Sequence, residues 1–183
     1  MAILKVARLG HPVIRQTAVS IRPQEISSHQ IQRLIDDMIE TMHEYDGVGL
    51  AAPQVHIDKQ LAVIEVHKNP RYPGMREIPL TVLINPKITS RSKKLVQEWE
   101  GCLSIPDLRG IVPRNESLVC EALDRSGKPV RLKANGFFAR VIQHEWDHLQ
   151  GHVYLDRMSD LKSLTHLREF ARYWAGEKDE DKS

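Results

Sequence analysis

Two histidines and one glutamate lie close together in residues 143–148, which read QHEWDH. At about 100° per residue in an α-helix, His148 lies about 40° round from His144 and one turn further along. Glu145 falls within the same arc. Two neutral imidazoles four residues apart can share one divalent metal ion, and the adjacent carboxylate can reach a water molecule there. The pattern is typical of metal-dependent hydrolases, although ordinary side chains of a solvated helix would also produce it.

A helix must carry these residues for the metal hypothesis to hold. Asn135 suits a helix N-cap, and Gly151 suits the position just after a helix end. The sequence therefore predicts a helix over residues 136–150. Between these two signals, apolar side chains recur at helical spacing, at Phe137, Phe138, Val141, Ile142 and Leu149.

The third metal ligand has three candidates outside this pair of histidines. His152 is one turn beyond His148, but the predicted helix end at Gly151 takes it off the ligand face. Glu169 has arginines nearby, which favours a solvated ion pair. Cys102 offers a thiolate, which is a strong ligand for a borderline metal. A lone cysteine is more commonly a buried apolar thiol, and residue types alone leave the choice open.

Three segments resemble motifs of one enzyme family, the peptide deformylases. Residues 100–104 read EGCLS, residues 144–148 read HEWDH, and residues 47–54 read GVGLAAPQ. They are similar to the family's EGCLS, HExDH and GxGxAAxQ motifs, and they occur in the family's order. Residues 9–15 also resemble the start of a deformylase. The resemblance covers nearly the whole chain, up to a charged tail.

The resemblance implies a mechanism as well as a site. It implies removal of the formyl group from the formyl-methionine of nascent polypeptides, with release of formate. Glu145 would act first as base and then as acid, while the Gln54 amide and the Leu103 backbone N–H would meet charge on the formyl oxygen. The family implies Fe(II) as the working ion, with zinc, nickel or cobalt able to occupy such a site. The implied metal ligands are Cys102, His144 and His148.

The substrate pocket and the charged residues near the motifs complete the expected site. We expect Arg114 to pair with Glu100 and with Asp147, which would support the metal-binding histidines. Glu98 and Arg140 depart from the family pattern, because relatives carry apolar pocket residues there. We expect these two charges to pair at the pocket mouth. The residues expected to contact the substrate are Val48, Gly49, Gly101, Phe137 and Val141.

Composition indicates one domain with a real core, since the chain has 183 residues and 41% hydrophobic content. We expect a catalytic domain over residues 1–175 and a disordered, charged tail over residues 176–183. The sequence contains no long apolar run of the kind that predicts a membrane span. Lys5 and Arg8 interrupt the N-terminal residues too early for the apolar segment of a signal peptide. The net charge of +2 gives no reason to propose a nucleic-acid substrate. Cytoplasm is the expected location, because a reducing compartment suits a metal-bound thiolate.

The predicted elements are of both kinds without regular alternation, which is typical of an α+β fold. The resemblance implies the same class, with antiparallel β-sheets packed around a central metal-bearing helix, an N-terminal helix and a C-terminal helix. The resemblance also implies ribosome contact through the C-terminal helix, although the mixed charges there are typical of a solvated segment. The predictions are helices over 28–43 and 161–174, strands over 61–66, 80–84, 118–123 and 129–132, a hairpin turn over 124–128, and a loop over 68–77.

Two other functional classes remain open at this point. A zincin-type metalloprotease would use the His-Glu-x-x-His helix and take its third ligand from His152 or Glu169. A non-catalytic module with a structural zinc would need a fourth protein ligand, and no second cysteine lies near Cys102 in the sequence. Neither class explains the glycine-rich segment that ends at Gln54. The deformylase interpretation is therefore favoured.

Overall fold

The computed structural model describes residues 2–67 and 76–175. The predicted loop over 68–77 falls mostly outside these residues, and so does the predicted tail over 176–183. The described helices are α1 (Pro23–Ile26), α2 (His29–Glu44), α3 (Gly136–Leu149) and α4 (Leu167–Tyr173). The strands are β1 (Gly49–Ala51), β2 (Leu61–Val66), β3 (Ile78–Arg91), β4 (Leu95–Cys102), β5 (Ile105–Asn115), β6 (Ser117–Leu123), β7 (Pro129–Asn135) and β8 (Thr165–His166).

The strands form two antiparallel sheets. One has the order β1-β2-β3-β6-β7 and the other has the order β4-β5-β8. Helix α3 packs against β1, β2, β6 and β7 of the first sheet and against β5 of the second. The expected α+β class, with antiparallel sheets around a central helix, is confirmed.

Helix α2 covers the first sheet through one apolar stripe. Ile31, Ile35, Met38 and Met42 recur at helical spacing, and all four are buried in a cluster with residues of β1, β2 and β3. Ser28 caps the helix by accepting a hydrogen bond from the Ile31 N–H. The predicted helix over 28–43 is confirmed to within one residue at each end. The glycine-rich segment that leads into β1 follows directly after this helix.

Helix α3 begins and ends close to the predicted positions. Asn135 occupies the N-cap position, but the structure shows no capping hydrogen bond from its side chain. Gly151 follows the helix with a φ of +76°, a conformation that side chains with a Cβ rarely adopt. A Cβ there would also lie 2.6 Å from the Arg15 carbonyl oxygen, so glycine is required for two reasons.

The C-terminal segment differs from the predicted helix over 161–174. Helix α4 begins only at Leu167, and the two residues before it form β8, which pairs with β5. Leu161 is 65% exposed, whereas Leu164 packs against a core cluster from outside any helix. The apolar spacing over 161–174 therefore comes from two separate segments, the residues before β8 and helix α4. Within the described residues, no helix is long and apolar enough to cross a membrane.

Candidate metal centre and substrate cleft

Cys102 comes to helix α3 at the end of β4. The β4–β5 register shifts between Gly101 and Cys102, where the chain turns. The Cys102 Sγ lies 3.2 Å from the His148 Nε2, and both residues are buried. The ligand atoms of Cys102, His144 and His148 all lie within 4.8 Å of one another. The structure thus brings together the three side chains that the resemblance implies as ligands.

The other two candidate ligands lie elsewhere. The His152 side chain is 45% exposed and its Nδ1 lies 3.9 Å from a carboxylate oxygen of Asp156. Glu169 is exposed on α4. Neither belongs to the cluster around Cys102. The sequence-based preference against both residues agrees with this geometry.

The donor set fits a divalent transition metal. The Nδ1 of His144 lies 2.9 Å from the Glu100 carboxylate, which leaves its Nε2 for a metal. Burial opposes ionisation of Cys102, but the adjacent His148 and His144 outweigh it and hold the pKa of the thiol well below its usual range. One thiolate and two imidazoles suit zinc, iron, cobalt or nickel.

Glu145 lies beside this cluster, and its carboxylate is buried. It is 3% exposed, and its Oε2 has no hydrogen-bond partner among the described residues. Burial raises its pKa to about 7, although His144 and His148 act in the opposite direction. A carboxyl group poised near neutrality can accept and return a proton during catalysis.

Gln54 presents its amide to the same cluster. Its Oε1 accepts a hydrogen bond of 2.8 Å from the Ala51 N–H, which fixes the orientation of the carboxamide. Its Nε2 then lies 3.5 Å from the Cys102 Sγ and 3.3 Å from the Ser104 Oγ. Ser104 is buried here and was not predicted as a site residue. Its position two residues after Cys102 was the available signal.

A buried ionic network lies behind the histidines. Arg114 donates to both Glu100 oxygens at 2.8 and 2.9 Å and to Asp147 at 2.5 Å. The Oδ1 of Asp147 accepts a hydrogen bond of 2.8 Å from Arg157, whose side chain is partly exposed. The expected contacts of Arg114 are present, and their effect on activity stays a prediction. Arg157 was missed, since no local pattern links it to the metal helix.

Known proteins are similar in sequence to this chain over most of its length. The family model described as polypeptide deformylase matches residues 3–164. Peptide deformylase 2 of Pseudomonas putida is 44% identical over 158 residues, which cover 86% of this chain and 89% of that protein. Peptide deformylase 2 of a Nostoc species is 42% identical, with 89% and 90% covered.

The chain belongs to the polypeptide deformylase family.

Solved deformylases have the same fold. A class I type b peptide deformylase from Acinetobacter baumannii, bound to Met-Ala-Ser, is 39% identical with a TM-score of 0.83, and the match covers 86% of this chain and 99% of that one. A Synechococcus elongatus peptide deformylase in complex with actinonin is also 39% identical, with a TM-score of 0.78 and 94% and 86% covered. The chain is therefore a deformylase, a hydrolase that acts on an amide bond.

Arg140 of this deformylase lines the cleft, and its expected pairing with Glu98 at the pocket mouth stays a prediction. It is 6% exposed, and its guanidinium donates to the Glu100 carboxylate at 2.6 Å. Glu98 adds a charge attraction to Arg140. Arg140 reaches Glu100 because it precedes His144 by one helical turn, so both side chains face the same carboxylate.

A cleft opens onto the cluster between the two sheets. In the described part of the chain, β1 and β4 are the terminal strands of their sheets, and both contribute to the cleft walls. Leu103 also lies on the wall, and its carbonyl accepts a hydrogen bond of 2.6 Å from Arg8. Trp99 lines the cleft as well and was not predicted. All five residues expected to contact the substrate line this cleft: Val48, Gly49, Gly101, Phe137 and Val141.

Proposed function

We propose that this deformylase removes the formyl group from the N-terminal formyl-methionine of nascent polypeptides and releases formate. The observation that carries the proposal is the buried cluster of Cys102, His144 and His148 beside the Glu145 Oε2, which has no hydrogen-bond partner among the described residues. The protease and structural-zinc alternatives find no support. The cluster offers three ligands and opens onto a cleft, which is typical of a catalytic rather than a structural metal site.

Cys102, His144 and His148 would hold one divalent ion. When bound, the ion supplies Lewis-acid chemistry, which lowers the pKa of a water ligand and polarises a carbonyl oxygen. We propose Fe(II) as the native ion, with zinc, nickel or cobalt as substitutes that the same donor set accepts. Glu100 orients His144 through its Nδ1, which fixes the ring for binding.

Glu145 would move the proton in both halves of the reaction. Its buried, unpartnered oxygen can accept a proton from the attacking water. The same carboxyl group can then deliver that proton to the leaving amine of the peptide. A pKa near 7 suits both tasks, because the group can lose and gain a proton at neutral pH.

Gln54 and Leu103 would stabilise the charge that develops on the formyl oxygen. The Gln54 amide is held by the Ala51 N–H and directs its Nε2 towards the cluster. Gln54 is a neutral donor, so it leaves the charge of the metal site unchanged. A backbone N–H at Leu103 would supply the second donor. One such donor typically contributes about 3 kcal/mol to transition-state stabilisation.

The peptide would enter the cleft as an extended strand. The terminal strands β1 and β4 can offer backbone hydrogen bonds to it from either side. Gly49 and Gly101 would let its backbone approach closely. The methionine side chain would lie against Val48, Phe137 and Val141, and its burial would contribute about 1.5–3 kcal/mol.

We also propose a cytoplasmic location and contact with the ribosome through the C-terminal helix. Residues 1–175 would form the catalytic domain, with residues 176–183 as a charged tail. Arg168 and Arg172 are exposed on α4, which supports electrostatic contact with an acidic partner. No direct nucleic-acid substrate and no membrane is proposed.

The decisive experiment is formate release after anaerobic purification with metal analysis. Wild-type protein should release formate from formyl-Met-Ala-Ser and leave the internal peptide bonds intact. An acetylated peptide of the same sequence should react slowly, because a methyl group crowds the site where the formyl hydrogen fits. Cys102→Ala should lose both metal and activity. Cleavage of internal bonds, or full activity in Cys102→Ala, would contradict the proposal.

A further inference from the structure

Arg140 is a buried cation in the wall of the metal site. Its guanidinium makes three hydrogen bonds, two to residues of β4 and one to a residue of β5. It donates to the Glu100 carboxylate at 2.6 Å, to the Val112 carbonyl oxygen at 2.9 Å and to the Val96 carbonyl oxygen at 2.7 Å. Val96 lies on β4 and Val112 lies on β5, so Arg140 ties the metal helix to both strands.

Glu100 is the group through which Arg140 reaches the metal site. One of its oxygens, Oε2, faces the His144 Nδ1 at 2.9 Å. The other, Oε1, accepts from Arg140 and also from the Nε of Arg114 at 2.8 Å. The carboxylate is therefore held from two directions by two cations. A carboxylate held this way has one orientation, and that orientation sets the direction of the His144 ring.

The surrounding charges favour this arrangement. Glu100 and Asp147 are buried anions, and Arg114 and Arg140 are buried cations that face them. Arg157 adds a partly exposed cation on Asp147. Removing one partner from a buried ionic cluster is costly, because the remaining charge loses compensation. Arg114 alone would then have to hold Glu100 while it also binds Asp147.

We propose that Arg140 is a positioning residue for the metal centre, which acts by fixing Glu100 and through it His144. This inference rests on the proposed function only in that His144 binds a metal. Arg140 lines the cleft, but its guanidinium is engaged by Glu100 and by two backbone carbonyls, which argues against a role in binding the substrate side chain. Arg140 therefore determines metal affinity and turnover, and it does not determine which side chain the pocket selects.

The test compares Arg140→Leu and Arg140→Lys with a matched control at Gln143. Gln143 also ties α3 to β5, since its amide donates to the Asn115 carbonyl at 3.0 Å and accepts the Asn115 N–H at 3.1 Å, but it makes no hydrogen bond to Glu100. Gln143→Leu thus removes a buried helix–sheet contact of similar kind. Affinity for zinc and for cobalt is measured by competition with a chelator, without any substrate present.

We expect Arg140→Leu to bind zinc about 10- to 100-fold more weakly than wild type. The zinc affinity of Arg140→Lys should lie between those of wild type and Arg140→Leu, because one ammonium group cannot replace the planar guanidinium. Gln143→Leu should lower the melting temperature but leave the zinc affinity unchanged. In the metal-loaded enzymes, Arg140→Leu should lower kcat and leave both KM and the preference for formyl-Met unchanged.

Wild-type zinc affinity in Arg140→Leu would overturn the proposal, and so would an equal loss in Gln143→Leu. A changed substrate preference with unchanged metal affinity would also overturn it, since Arg140 would then act on the substrate side chain rather than on the metal centre. If Arg140→Leu fails to fold, Arg140→Lys decides, with weakened affinity supporting the proposal and wild-type affinity opposing it. Because affinity is measured without substrate, failure of wild type to release formate would contradict the proposed function alone.

Discussion

Replacement of Gly49 with alanine tests how the Glu145 carboxylate is held. Gly49 lies on β1 against Glu145, and an added Cβ would lie 2.8 Å from the carboxylate Cδ and 2.9 Å from Cγ. Carbon atoms in contact stay about 3.5 Å or more apart, so the carboxylate must retreat by roughly 1 Å. A displacement of that size costs about 100-fold in rate, which equals about 2.7 kcal/mol of transition-state stabilisation.

The assay is steady-state formate release, with zinc affinity measured in parallel. We expect Gly49→Ala to lower kcat about 100-fold and to leave metal affinity unchanged, because Glu145 is not a proposed ligand. Gly49→Ala and Glu145→Gln should disturb the same group, so the double variant should be no slower than Glu145→Gln alone. Additive losses, or a raised KM with unchanged kcat, would refute this reasoning and leave Gly49 a role only in peptide approach.

Three further predictions concern the reactivity of the two thiols, the role of the Gln54 amide and the stability of the fold at low pH. Iodoacetamide should modify Cys102 in metal-free protein and spare it in metal-loaded protein. Cys120 should react only after unfolding, because burial raises its pKa to about 11. Mass spectrometry of both forms checks this, and equal modification of Cys102 with and without metal would contradict it. Gln54→Ala should lower kcat about 100- to 1000-fold with metal content retained, and equal turnover would remove Gln54 from the mechanism. The folded-state pKa values of Glu100 and Asp147 are lowered, since Arg114 and the other cations outweigh burial, so their contribution to the unfolding free energy is present above about pH 4 and is lost as pH falls further. Urea unfolding of metal-free protein should show a weaker decline with acid in Glu100→Gln, and an equal decline would contradict the prediction.

The two long helices could be predicted because their apolar residues keep a helical period. Residues 31–42 and 137–149 both show it, and both helices form within one residue of the predicted ends. Strands β4 and β5 were missed, because buried charged residues interrupt their apolar pattern. Glu100 and Arg114 are charged, yet they lie inside the protein as partners of one another. Alternation of polarity cannot identify such strands, since it assumes that charge means exposure.

The site shows the same limit. The placement of His144, Glu145 and His148 on one face followed from helical geometry, but the approach of Cys102 depends on a turn between β4 and β5 that no spacing rule predicts. Its selection over the other candidates came from the resemblance to deformylases. The hydrogen bond between Arg140 and Glu100 was missed for the reason that hid β4, because a buried cation needs a partner and this partner lies 40 residues away in the sequence.

X-ray absorption spectroscopy of the zinc-loaded enzyme tests the central claim most directly. The account predicts one sulfur neighbour at about 2.3 Å and two imidazole nitrogens at about 2.0–2.1 Å, with the sulfur contribution absent in Cys102→Ser. A zinc site without sulfur in wild-type protein would contradict the account, because the metal would then lie away from Cys102.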